Sequence, residues 1–132
     1  MSRLTAPFIY MGLIFLLSSV PGNNINPETF LERSLIWISP GFQNLLHIPL
    51  FFGLALTWIY ALEKHIKSNY LTLLTAFALS MLYGIFDEFH QIQVPGRYGS
   101  ISDLLLDALG AVLIFLTPLI KKIIYNKGSI IE

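Results

Sequence analysis

Cysteine is absent from the chain, which excludes disulfides, thiolate nucleophiles and cysteine-ligated zinc together. Charge is scarce as well. Asp, Glu, Lys and Arg make up 12% of the 132 residues, against about 25% in soluble domains. A soluble chain of this length would form one domain, and this one has too few polar side chains to cover its surface. Neither sign of charge is in excess: the formal net charge is zero, without the basic surplus that nucleic-acid binding draws on. The sequence also has no internal repeat, no low-complexity segment and no HExxH or comparable catalytic signature.

Apolar residues, by contrast, make up 55% of the chain, and the mean hydropathy is +0.67. They fall in blocks close to the roughly 20 residues that cross a bilayer as a helix. This pattern predicts an all-α integral membrane protein: one domain, a four-transmembrane-helix bundle with spans at about 4–20, 43–62, 70–92 and 101–120. The first block, Leu4 to Val20, follows Arg3 and precedes Pro21-Gly22-Asn23-Asn24. It has no A-x-A-like cleavage site, so it reads as a retained helix rather than a signal peptide. Between spans one and two, Asn26-Pro27-Glu28 offers a cap, a proline at the first helical position and an acidic first turn. A short interfacial helix carrying Trp37 is expected there, with an ordered polar loop as the alternative. Trp37 and Trp58 are both expected as interface anchors or lipid-facing bulk. Pro49 cannot donate to the carbonyl of Leu45, so a kink is expected near it. Pro95-Gly96 suits the centre of a type II turn.

The cations set an orientation. Four spans place Arg3, Lys64, Lys67, Lys121, Lys122 and Lys127 on one side and only Arg33 and Arg97 on the other. The positive-inside rule then puts both termini in the cytoplasm. His47 in the first turns of span two, Asp87, Glu88, His90 and Gln91 at the end of span three, and Asp103 and Asp107 at the start of span four share one level near the outer leaflet. Asp87 and Gln91 lie on one helix face, as do Asp103, Asp107 and Gly110, and Gly110 permits close approach of a neighbouring helix. Arg97 is the lone cation of the hairpin joining spans three and four, and the expected partner of these carboxylates. Ionisable groups at such positions point to function.

These residues resemble a known family. Asp87-Glu88-Phe89-His90-Gln91, Pro95-Gly96-Arg97, Ser100, Asp103 and Asp107-Ala108-Leu109-Gly110 are similar to the hallmark of VanZ-like membrane proteins, the group named for a teicoplanin-resistance determinant of Gram-positive bacteria. Leu16-Leu17-Ser18-Ser19 resembles the family's first-span ending, and Asn44-Leu45-Leu46-His47 with Phe51 its second-span histidine motif. Family members often carry Asp-Lys shortly before that histidine, where this chain has Gln43-Asn44. The resemblance implies a cell-envelope membrane protein, with some relatives linked to glycopeptide resistance, but no particular reaction.

The cluster of His47, Asp87, Glu88, His90, Gln91, Arg97, Asp103 and Asp107 is therefore expected to hold a polar or anionic lipid headgroup, a cell-wall precursor or a glycopeptide-type ligand. The expected partners are the bilayer and such a lipid-linked ligand, with no nucleic acid. No cofactor is indicated and no residue is assigned to a metal. Two other readings stand beside this one: a membrane enzyme using the same acids and bases for acid–base or metal-assisted chemistry, and a purely structural cluster that staples helices together.

Overall fold

The computed structural model describes residues 3–21 and 44–118. The expected interfacial helix with Trp37, and the chain beyond Pro118, lie outside them. Every regular element among the described residues is helical: α1 (Thr5–Ser18), α2 (His47–Leu62), α3 (Asn69–Gln91) and α4 (Ile101–Val112), the last running into a 3-10 turn at Leu113–Leu116.

Local chemistry sets the ends of these helices. At the end of α1, the Ser18 and Ser19 hydroxyls donate back to the carbonyls of Ile14 and Phe15, at 2.9 and 2.7 Å, and Pro21 follows. The second helix is continuous from His47, and Gln43, where the span was expected to begin, lies outside the described residues. Asn44 and Leu45 are helical, Leu46 is a turn residue, and the helix resumes at His47. The expected kink is thus a break, beside the Leu45 carbonyl that Pro49 cannot serve, and Pro49 falls in the first turn, where its missing N–H is harmless. Ser68 caps α3 by accepting from Leu71 N–H at 3.4 Å, and Ser100 caps α4 by accepting from Ser102 N–H at 3.1 Å. Asp103 in the first turn of α4 complements the helix dipole. Pro118 has no N–H for the Ile114 carbonyl, and the Thr117 hydroxyl donates to it instead at 2.6 Å.

The Pro-Gly hairpin forms as expected. Arg97 N–H donates to Val94 carbonyl at 3.1 Å, and Gly96 has φ +74°, the left-handed value that a type II turn requires at its third residue.

The second helix is the centre of the bundle, packing against α1, α3 and α4. Glycines set the closest approaches. A side chain at Gly110 would strike the backbone of Ile48, and one at Gly53 would strike the Tyr10 ring. Ile14, Phe51, Leu54, Ala55, Trp58, Ala61, Leu73, Ala76, Tyr83, Ala111 and Ile114 form the buried apolar core. Trp58 corrects an expectation. It is 8% exposed and packs edge-on against Phe8 with ring centroids 5.8 Å apart, so it is core and not an interface anchor. His65 is exposed in the connection between α2 and α3.

Of these helices, α3 is long and apolar enough to cross a membrane, whereas α1 and α2 are apolar but shorter than the usual span. The outer surface carries large apolar side chains on every helix, including Phe8, Ile9, Leu82, Phe89, Ile101 and Leu105.

Candidate functional site

Three helix ends meet at one end of the bundle: the start of α2, the end of α3 and the start of α4. The buried positions of α3 run as one stripe, Ser80, Tyr83, Gly84, Asp87, Glu88 and Gln91, the three- and four-residue spacing of a single helix face. On α4 the corresponding stripe is Asp103, Asp107, Gly110 and Ala111. The sequence's face assignments therefore bring His47, Asp87, Glu88, Gln91, Asp103 and Asp107 to the interior of the same end.

An ion pair links α2 to α4 here, His47 Nδ1 with Asp107 Oδ1 at 2.7 Å. Asp107 is fully buried and His47 is 8% exposed, and the His47 ring lies nearly parallel to that of Phe51, with centroids 6.3 Å apart. Gly84 belongs to the same contact, because a side chain there would meet Asp107 Oδ2 and the Phe51 ring. Glu88 Oε2 accepts the Ser100 backbone N–H at 2.6 Å, which ties the end of α3 to the cap of α4.

A second chain of polar groups runs outward. Gln91 Nε2 donates to Asp87 Oδ2 at 2.9 Å. Arg97 donates from its terminal nitrogen to Gln91 Oε1 at 3.5 Å and from Nε to the Val20 carbonyl at 2.8 Å. Arg97 was expected to pair with a carboxylate directly. It does not: among the described residues the ion pairs are His47–Asp107 and the surface pair Arg3–Glu63 at 3.9 Å. Arg97 reaches Asp87 only through Gln91, because the Val20 carbonyl takes its shortest bond. Burial lowers the Arg97 pKa from its ordinary value, against the opposing pull of the Asp87, Asp103 and Glu88 carboxylates, and the guanidinium stays charged.

His90 stands apart from the other site residues. Its Nε2 lies 2.9 Å from the Ser19 hydroxyl, and its ring stacks on Phe15 with centroids 4.2 Å apart. It fastens α3 to α1 instead of joining the carboxylates. Asn44 is exposed, and Gln43 lies outside the described residues. The partners that residue types did not reveal are main-chain groups: the Val20 carbonyl and the Ser100 N–H.

Two features give the cluster chemical capacity. Asp87 Oδ1, Glu88 Oε1, Asp103 Oδ1 and Asp107 Oδ2 are buried with no hydrogen-bond partner among the described residues. Donor atoms of His47, Glu88 and Asp107 lie within 4.8 Å of one another. Beside them runs a groove of about 190 Å³, lined by Ile85, Phe89, Ile92, Ile101 and Leu104, with Glu88, Gly99 and Ser100 at its polar side.

A family model for VanZ/LLP1 matches residues 4–122, nearly the whole chain. No curated protein and no solved structure matches. The match takes in every residue of the cluster, and the chain belongs to the VanZ/LLP1 family.

Proposed function

We propose that this VanZ/LLP1 chain is a four-span protein of the bacterial cell membrane, with both termini cytoplasmic, that holds a lipid-linked ligand at its outer-leaflet end. The distribution of polarity supports membrane embedding. Asp87 and Asp107 are fully buried while Phe8, Ile9, Leu82, Phe89 and Ile101 are 60–81% exposed, the reverse of a water-soluble arrangement. Apolar residues facing outward suit lipid, and ionisable ones facing inward suit a bundle whose interior carries the function. The shorter helices α1 and α2 rise about 21 and 24 Å at 1.5 Å per residue, a mismatch that a bilayer absorbs by local thinning.

The observation that carries the ligand reading is the groove between α3 and α4. Its walls are apolar, and its polar side is Glu88, whose Oε1 is buried and unpartnered. The head-proximal part of an apolar chain joined to a polar group fits such a groove. That chemistry is shared by a polar or anionic lipid, a cell-wall lipid precursor and the lipid-bearing end of a glycopeptide antibiotic. Binding there would control such a molecule's access to the outer leaflet.

The test uses native mass spectrometry of the purified protein with undecaprenyl phosphate. Leu104→Trp fills the groove from its α4 wall and is expected to abolish retention. Leu105→Trp, on the exposed face of the same helix, is expected to leave it intact. Equal retention by the two variants, or none by the unaltered protein, refutes the reading.

One observation favours a second reading, an enzyme. A histidine held by a buried carboxylate at 2.7 Å has the orientation of a general base. Phosphate release from undecaprenyl pyrophosphate, lost on His47→Gln, would support it over binding alone.

A further inference from the structure

The polar end has more buried negative groups than nearby cations. Asp87, Glu88, Asp103 and Asp107 are each at most 9% exposed, and each keeps one carboxylate oxygen without a partner among the described residues. Arg97 is committed to the Val20 carbonyl and Gln91, and His47 is bonded, among the described residues, to Asp107 alone. A buried carboxylate oxygen with no partner is costly, so four in one place call for a further positive group.

The geometry shows where that group would sit. Glu88 and Asp107 are each anchored through one oxygen, Glu88 Oε2 by Ser100 N–H and Asp107 Oδ1 by His47 Nδ1. Their other oxygens, Oε1 and Oδ2, are the unpartnered ones. For Glu88, holding one oxygen by a main-chain N–H while leaving the other open is how outer partners orient ligands around an ion. For the facing pair His47 Nδ1 and Asp107, an ion would take the place of the proton between them, because a ligating histidine must be neutral. The three residues come from three different helices, and one donor atom from each lies within 4.8 Å of the others. Ligand bonds of about 2.0–2.2 Å put such atoms roughly 3–4 Å apart, a closure within reach of small side-chain adjustments.

We propose that His47, Glu88 and Asp107 form a binding site for a divalent transition-metal ion. One imidazole nitrogen with two carboxylate oxygens suits Zn²⁺ or Mn²⁺. It suits Ca²⁺ poorly, because that ion takes six to eight oxygen ligands. Three protein ligands leave at least one coordination position open. Glu88 is both a ligand and a wall of the groove, so the site adjoins the groove's polar side. The ion thereby reverses the local sign: a phosphate oxygen entering from the groove would meet a cation in place of bare carboxylates. The metal site stands on the side-chain geometry alone, whereas this bridging role rests on the groove reading above.

Tag-free protein in detergent, stripped with EDTA and desalted, is titrated with Zn²⁺ by calorimetry, and the bound metal is counted by mass spectrometry. One zinc per chain is expected. Glu88→Gln is expected to weaken binding by at least about tenfold, the loss that even outer partners of a metal produce, and Glu63→Gln in the surface pair is expected to leave it unchanged. His47→Gln is the second ligand variant, and each variant is scored only as a monodisperse species on size exclusion. Visible absorption of the Co²⁺-loaded protein, altered by His47→Gln, is the independent readout. No zinc bound to the unaltered protein overturns the site, as does zinc bound equally by both ligand variants. Undecaprenyl phosphate retained without zinc binding overturns the metal site and leaves the groove reading standing. Zinc bound without lipid retention upholds the metal site and overturns the groove reading.

Discussion

The buried stripe of α3 passes through two interiors that are equally closed and chemically opposite. In its first half, Thr72 and Ser80 are the polar members, and each hydroxyl donates to a carbonyl of its own helix, Ser68 at 3.1 Å and Ala76 at 2.8 Å. Leu73 and Ala76 pack there into the apolar core with Leu54, Trp58 and Ile114. In its second half the stripe presents Asp87, Glu88 and Gln91, and carboxylate oxygens are left unpartnered. One end of the bundle satisfies its buried hydroxyls locally, leaves the Trp58 indole N–H without a partner among the described residues, and gains stability by packing. The other keeps groups that helix packing alone does not satisfy, and interhelical polar contacts in membranes average only about 0.6 kcal/mol. The contrast separates the part that holds the bundle together from the part free to bind something else.

The largest effect is expected in the apolar half. Leu54 is fully buried, and Leu54→Ala should cost about 2–5 kcal/mol by removing side-chain volume from a closed core. Thermal unfolding in detergent reads this, and lipid retention should fall only in proportion to folded protein. Next comes the link between the polar end and α1. Arg97→Ala removes the bond to the Val20 carbonyl and should cost about 1–3 kcal/mol, the penalty of a stranded part-buried acceptor. Arg97→Lys should recover only part of this, because an ammonium lacks the fork that serves Val20 and Gln91 together. The smallest stability change is expected at Asp87→Asn, under about 1 kcal/mol in either direction, since the isosteric amide keeps an oxygen to accept the Gln91 N–H. Its ligand retention should nonetheless drop. If Asp87→Asn instead unfolds as readily as Leu54→Ala, the two halves do the same job and the cluster is a structural staple.

Much of the fold was legible because its signals are local. The apolar run from about residue 70 marked α3, Pro95-Gly96 marked the turn, and helical spacing put Asp87 with Gln91 and Asp107 with Gly110 on their common faces. The close approach at Gly110 followed from residue size, and the structure places it against the Ile48 backbone. Arg97 misled because its best partner is the main-chain carbonyl of Val20, and every residue type carries that group. Trp58 misled because the side chain suits an interface and a core alike, and only the position of Phe8 on α1 decides between them. The convergence of His47, Glu88 and Asp107 needed three helices in register, which no spacing within one helix reveals.

The two ties at the end of α1 also have a consequence in time. Ser19 meets His90 and Val20 meets Arg97, across 71 and 77 residues of chain. A ribosome adds about 5–20 residues per second, so the end of the first helix waits roughly 4–15 s for its partners to be made. Until His90 and Arg97 are made, the Ser19 hydroxyl and the Val20 carbonyl lack these partners, and the first helix meets the third only through the Tyr83 hydroxyl, which donates to the Met11 carbonyl at 2.6 Å. The site is therefore a late product of biogenesis, closed only when the hairpin around Gly96 arrives. A chain released before Arg97 would keep the links of His90 to Ser19 and of Tyr83 to Met11 but lack the guanidinium tie to Val20.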